Sequence, residues 1–111
     1  MLSKEQILKA RTSLIKKTKI KSLGGDVIIR MISMRETEQF TQLSEGLSSE
    51  DTAILYVSFL LANEDGSRMF TTKEDIEALS DLPPAAISEI AEYGNTMNGV
   101  DSNEVEETAK K

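Results

Sequence analysis

Apolar positions fall along this chain in three patterns, and each predicts a different element. The densest is the run Thr52-Ala53-Ile54-Leu55-Tyr56-Val57-Ser58-Phe59-Leu60-Leu61-Ala62. A helix apolar on almost every side has to be covered on almost every side. The run therefore predicts a central buried helix with the rest of the chain packed around it. It falls short of the roughly 20 residues that cross a bilayer. A buried strand is the competing reading of a short apolar run. The start at Ser48-Ser49-Glu50-Asp51 favours the helix, because a serine oxygen accepts from the free N–H groups and acids suit the positive end of the dipole.

The second pattern is helical spacing behind a capping residue. Ser3 with Gln6 forms a capping box, and Ile7, Leu8, Arg11, Leu14 and Ile15 recur at helical intervals, which predicts a basic amphipathic helix over 3–17. Its narrow stripe would dock on the domain or on a partner. Ser33-Met34-Arg35-Glu36 is a second capping box and opens a helix to about Gly46, a left-handed cap. Met34, Phe40 and Leu43, with Thr37 beside them, form its expected buried face. Thr71 or Thr72 caps a short helix with Ile76 and Leu79 inward, ended by Asp81. The stiff Leu82-Pro83-Pro84 leads into a last helix over 84–97. Its face of Ala86, Ile87, Ile90, Ala91, Gly94 and Met97 is rich in small residues, which let another helix come close.

The third pattern is alternation. Thr18-Lys19-Ile20-Lys21-Ser22-Leu23 alternates polar and apolar, Gly24-Gly25 follows, and Asp26-Val27-Ile28-Ile29-Arg30-Met31-Ile32 is rich in β-branched residues. Two such runs about a Gly-Gly predict a β-hairpin over 18–32. The expected fold is mostly α with one N-terminal β-hairpin (α+β), a small single-domain helical bundle. Its core would be Ile54, Leu55, Val57, Leu60 and Leu61, with Phe40, Ile76, Leu79, Ile87 and Ile90 packed around them. A length of 111 residues suits one domain. It divides into a basic helix over 1–17, the domain proper over 18–98, and a polar, acidic stretch over 99–111 expected to be a disordered tail.

Composition narrows the chemistry. There is no Cys, so disulfides, thiolate metal sites and a cysteine nucleophile are excluded. There is no His, the commonest neutral-pH general base and metal ligand. Paired carboxylates such as Glu64-Asp65, or Asp101 with Glu104, read as solvated charges in an acidic chain. Asn63-Glu64-Asp65-Gly66-Ser67 resembles part of a calcium loop. With Gly66 at position 6, Leu61 and Thr72 fall where carboxylates are required, so it reads as a tight turn. Gly24-Gly25 lacks the pattern of a phosphate loop. The expectation is a non-enzyme with no cofactor and no metal. The N-terminus has no apolar signal-peptide core, so the chain is expected to stay where it is made.

Charge is split along the chain. The net charge is −6, yet residues 1–35 hold nine Lys and Arg against two acids, and residues 36–111 hold four against seventeen. A basic front can be a nucleic-acid footprint, but this one has no aromatic residue to stack on bases and no recognised motif. The plainer reading is a solvated basic face that meets an acidic face on another copy. With the small-residue face of the last helix, this makes a homo-oligomer an expectation.

The order of these elements resembles that of phage tail assembly chaperones. The resemblance rests on the hairpin with Gly24-Gly25-Asp26-Val27, then Arg30, then the helix start Ser33-Met34-Arg35-Glu36. It continues through the apolar helix into Asn63-Glu64-Asp65-Gly66, Phe70-Thr71, Glu74-Asp75-Ile76, Leu79, Leu82-Pro83 and Asn98-Gly99. It covers roughly residues 18–100, and departs from the family in the longer basic helix ahead of the hairpin and in Asn63 where an acid is usual. The resemblance implies a virus- or prophage-encoded protein of the host cytoplasm, absent from the mature virion. Such a protein keeps the tape measure protein soluble and assembly-competent while the tail forms. The partner surface would use exposed Met31, Met34, Met69 and Met97, since methionine adapts to varied partners, together with Ile87, Ile90 and Gly94. No nucleic acid and no membrane is implied. Family members are often made in two lengths by a ribosomal frameshift. The ending Ala109-Lys110-Lys111 can be encoded by a slippery run, which would give a longer form that recruits the tail-tube protein. The alternative is a small basic-fronted DNA-associated regulatory protein.

Overall fold

Ser3, Ser33, Ser48 and Thr72 begin four helices by one device: each side-chain oxygen accepts an N–H three residues on, satisfying a donor the helix cannot. The computed structural model describes residues 1–13 and 15–99. In chain order these form α1 (Lys4–Ser13), β1 (Ile15–Ile20), β2 (Gly25–Arg30), α2 (Met34–Ser44), α3 (Ser49–Leu60), β3 (Leu61–Ala62), α4 (Lys73–Ala78), a 3-10 turn (Leu79–Asp81) and α5 (Pro84–Met97). The described fold is α+β, five helices with a three-stranded antiparallel sheet of order β1-β2-β3. Leu14, the side chain of Arg11 and the acidic stretch from Val100 onward lie outside the described residues.

The hairpin forms where alternation predicts it, but it begins earlier. Ile15 pairs with Arg30 and Lys17 with Ile28, so residues 15–17 are strand and the first helix is shorter than 3–17. The apolar β2 needs a partner along its whole length, and β1 supplies it. The turn is Lys21–Gly24 rather than Gly24-Gly25. Gly24 alone takes a positive φ, 70°, the left-handed region that side chains disfavour, and Gly25 pairs with Ile20 as the first residue of β2.

The apolar run also ends differently. Helix α3 stops at Leu60, and Leu61-Ala62 become β3, pairing with Ile29 and Ile28 of β2. Two arginines from elsewhere in the chain meet the last carbonyls of α3. Arg30 of β2 donates to Phe59 O at 2.8 Å, and Arg68 Nε donates to Ser58 O at 3.4 Å. Cations suit the negative end of a helix and satisfy carbonyls left without partners.

The core joins sheet and helices: Ile20, Ile29, Val57, Leu60, Leu61, Leu79, Ile87 and Ile90 form one buried cluster. Leu55 is buried as expected, while Ile54, Phe40 and Ile76 are half-buried. Two residues of the face expected for α2 are not buried, since Met34 is 89% exposed and Leu43 59%. Six residues on a helix turn about 240° beyond a full revolution, which puts Met34 far round from Phe40. Phe40 is the α2 ring that meets α3, 5.6 Å from Tyr56 and 5.9 Å from Phe59.

Helix α5 lies against α3 at Gly94. A methyl placed on Gly94 would land on the Cδ1 of Leu60, a side chain that is fully buried. At an open helical position Gly→Ala gains about 1 kcal/mol. Here overpacking, typically costing about 1–3 kcal/mol, should reverse the sign. Gly94→Ala is expected to lose about 1–2 kcal/mol in urea denaturation, and a stabilised variant would show that the helices are not in close contact.

Candidate partner-binding surface

The contact between α2 and α3 is held by charge as well as by rings. Arg30 donates through Nη2 to Glu36 Oε1 at 2.7 Å, and the same oxygen accepts the Ser33 amide at 3.1 Å, completing the capping box of α2. Burial alone would raise the Glu36 carboxyl. The hydrogen bond from Arg30, that from the Ser33 amide and the charge of Arg30 outweigh it and hold Glu36 below its ordinary value. Arg68 lies over the ring of Phe59, 4.0 Å from its centroid, and donates to Phe70 O at 3.0 Å. Burial pushes its guanidinium down and Arg30 adds to this, while Glu36 pulls it up. One carboxylate thus serves two arginines and a helix start.

Beside this lock an apolar groove of about 620 Å³ opens, walled by Ile32, Phe40, Ala53 and Tyr56. Thr37, Ser49, Thr52, Asn95 and Asn98 also line it, and the two asparagines are tied down. Tyr56 donates its hydroxyl to Asn95 Oδ1 at 2.7 Å; Asn98 accepts the Ile32 amide at 2.8 Å and donates to Gly94 O at 2.8 Å. Burial raises the Tyr56 phenol, so it stays a neutral donor. A groove with fixed apolar walls and a fixed polar rim suits the apolar face of a helix.

The expected site residues are not brought to this groove. Met34 stands exposed at the start of α2, and Met69, 48% exposed, lines a different groove beside the sheet with Leu23, Val27 and Phe70. Met31 is half-buried, and Met97 packs against the core cluster. Ile90 and Gly94 are buried against the rest of the chain, and Ile87 is only 9% exposed. The small-residue face of α5 is therefore used inside the molecule, in its contact with α3. Phe40 and Tyr56, the largest walls of the groove, were legible as apolar residues but not as a pair, because they lie on different helices.

Two charged features have structural roles. Lys16, Lys17 and Lys19 are exposed on β1, an edge strand, where lysines discourage edge-to-edge pairing. Glu89 of α5 clamps the hairpin turn, accepting the amides of Lys21 at 2.9 Å and Ser22 at 3.1 Å. Those hydrogen bonds, Lys21 first, hold its carboxyl below the ordinary value. A depressed carboxyl contributes above its unfolded pKa, and the contribution is lost as pH falls through the folded pKa. Acidification should therefore release the turn, with amide shifts at Lys21 and Ser22 following Glu89 in NMR. Glu89→Gln should remove that titration, and its persistence in the variant would assign it elsewhere.

At the Asn63–Ser67 turn, Asp65 accepts the Ser67 amide at 2.9 Å, a local turn bond of its type. Among the described residues no group of three or more acidic side chains is placed to hold a metal ion. No described helix is long and apolar enough to cross a membrane. Compared with protein-family models, curated proteins and solved structures, the chain matches none.

Proposed function

We propose that this protein is a phage tail assembly chaperone, of a long-tailed phage or prophage, that keeps the tape measure protein soluble and assembly-competent. The observation that supports it best is the groove of Ile32, Phe40, Ala53 and Tyr56, which suits the apolar face of a helix. A tape measure protein is a long helical chain that aggregates when its apolar positions are uncovered. The reading also draws on the ordered resemblance over residues 18–100, and treats the helices gathered around α3 as a small bundle carrying the hairpin. It places the protein in the host cytoplasm and outside the mature virion, acting by binding alone, without catalysis or cofactor. The longer, frameshifted form, sharing residues 1–109, would bring tail-tube subunits through its extension.

The test is co-expression with the tape measure protein of the same phage. This chain should move that protein from the pellet to the soluble fraction and co-purify with it. Thr37→Arg, at an exposed position on the rim of the groove, should abolish the rescue without loss of fold. A tape measure protein that stays insoluble beside the wild-type chain would refute the reading.

A further inference from the structure

Helix α1 leaves its apolar residues uncovered. Leu2 is 67% exposed, Ile7 56% and Leu8 50%. Leu2 and Ile7 flank the Ser3 cap at the positions of a hydrophobic staple, so the apolar patch is built into the start of the helix. The helix is basic: its residues include Lys4, Lys9 and Arg11 against Glu5.

The same chain carries an uncovered groove of opposite character. It lies between the end of α2, α3 and α4, with a volume of about 520 Å³, and its apolar walls are Leu43, Leu47, Ile54, Leu55 and Ile76. Leu43 is 59% exposed and Leu47 42%. Asp51, Glu77 and Lys73 also line it. The first turn of α3 brings Glu50 and Asp51, and α4 holds Glu74, Asp75 and Glu77 against Lys73. At the groove itself two acids, Asp51 and Glu77, stand against Lys73, and the segments that carry them are acidic as a whole, opposite in charge to α1.

We propose that α1 of one copy docks into the α2–α3–α4 groove of a second copy. Within one chain both surfaces stay uncovered, so neither satisfies the other in the monomer. They match in kind, an apolar stripe with basic flanks against an apolar groove with acidic flanks. The contact is heterologous, since α1 of one copy meets a different surface on the next. Repeated head to tail it closes into a ring or runs on as a filament; made reciprocally by two copies it becomes an isologous dimer. The two grooves share no lining residue, so the assembly does not depend on the proposed chaperone role.

The test uses the purified full-length chain alone, with sedimentation velocity and light scattering over a range of concentration and salt. Mass should rise with concentration, and high salt should lower it, since part of the attraction is screened. Leu8→Asp and Leu43→Asp, both at exposed positions, should each weaken association at least ~10-fold with unchanged circular dichroism. Lys4→Glu should weaken it less. The decisive step is mixing. Leu8→Asp keeps a working groove and Leu43→Asp keeps a working helix, so together they should form a one-to-one dimer that grows no further. A wild-type chain that stays monomeric at high concentration and low salt overturns the proposal. So does association that survives both substitutions, or variants that fail to complement each other on mixing.

Discussion

Phe59→Ala is expected to destabilise the domain by about 3–5 kcal/mol, the usual cost of emptying an aromatic site in a core. Phe59 is 1% exposed, so almost all of its ring has partners to lose. One is Phe40, edge-on at 5.9 Å. Another is the guanidinium of Arg68, 4.0 Å above the ring. Without the ring, Arg68 keeps a half-buried charge but loses the surface it lies on. A domain of this size holds in total about 5–15 kcal/mol, so the variant should approach the limit of folding at 37 °C. Phe59→Leu fills most of the volume but offers no π face, and should cost less than half as much. Urea denaturation of the two variants checks both values. A loss below about 1.5 kcal/mol for Phe59→Ala would mean the site collapses easily and is not where α2, α3 and the Arg68 loop are joined.

How far this arrangement can be read from the residues depends on how local its causes are. The caps at Ser33, Ser48 and Thr72 are local, and the helices start where those residues predict. The hairpin is nearly local, and alternation about Gly24 locates it. Leu61-Ala62 read as a continuation of the helix, because an unbroken apolar run has no period to separate helix from strand. The last carbonyls of α3 are met by Arg30, from a strand well before it, and by Arg68, from the loop beyond β3. The buried face of α2 differs from the expected one for a related reason: a stripe says which residues share a side, not how many of them the neighbour reaches. The ring of Phe40 reaches α3, and Leu43 is left to line an open groove. The methionines stand out by chemistry alone, and composition cannot say whether a methionine packs against a core, as Met97 does, or stands clear, as Met34 does. The groove itself was the least legible feature, because Ile32, Phe40, Ala53 and Tyr56 come together only once α2 has folded back onto α3.

The ion pair at the end of α3 gives the other large effect, and its sign depends on pH. Arg30 and Glu36 side chains are 14% and 19% exposed, so neither charge has full access to water. Removing one partner of a buried pair costs about 3–5 kcal/mol; with the remaining solvent contact, about 2–3 kcal/mol is expected for Arg30→Ala at pH 7. Two things are lost together, the pairing of Glu36 and the hydrogen bond to Phe59 O at 2.8 Å. Only the first titrates. In the wild-type protein Glu36 is held below its ordinary value, so its contribution is complete above the unfolded carboxyl pKa of about 4.3. It fades as pH falls through the lower, folded value. In Arg30→Ala the same carboxyl keeps its burial without its cation, and should titrate higher, so acid relieves the variant while it weakens the wild type. The stability difference should therefore be greatest at neutral pH and shrink at about pH 3, leaving the share due to the Phe59 carbonyl. Glu36→Gln separates the two. Glutamine still serves the capping box but carries no charge, so in that background Arg30→Ala should show little change with pH. Denaturation of the four proteins of this double-mutant cycle at both pH values measures the coupling directly. Equal losses at pH 7 and pH 3 would assign the role of Arg30 to the helix end alone, with Glu36 contributing only to the start of α2.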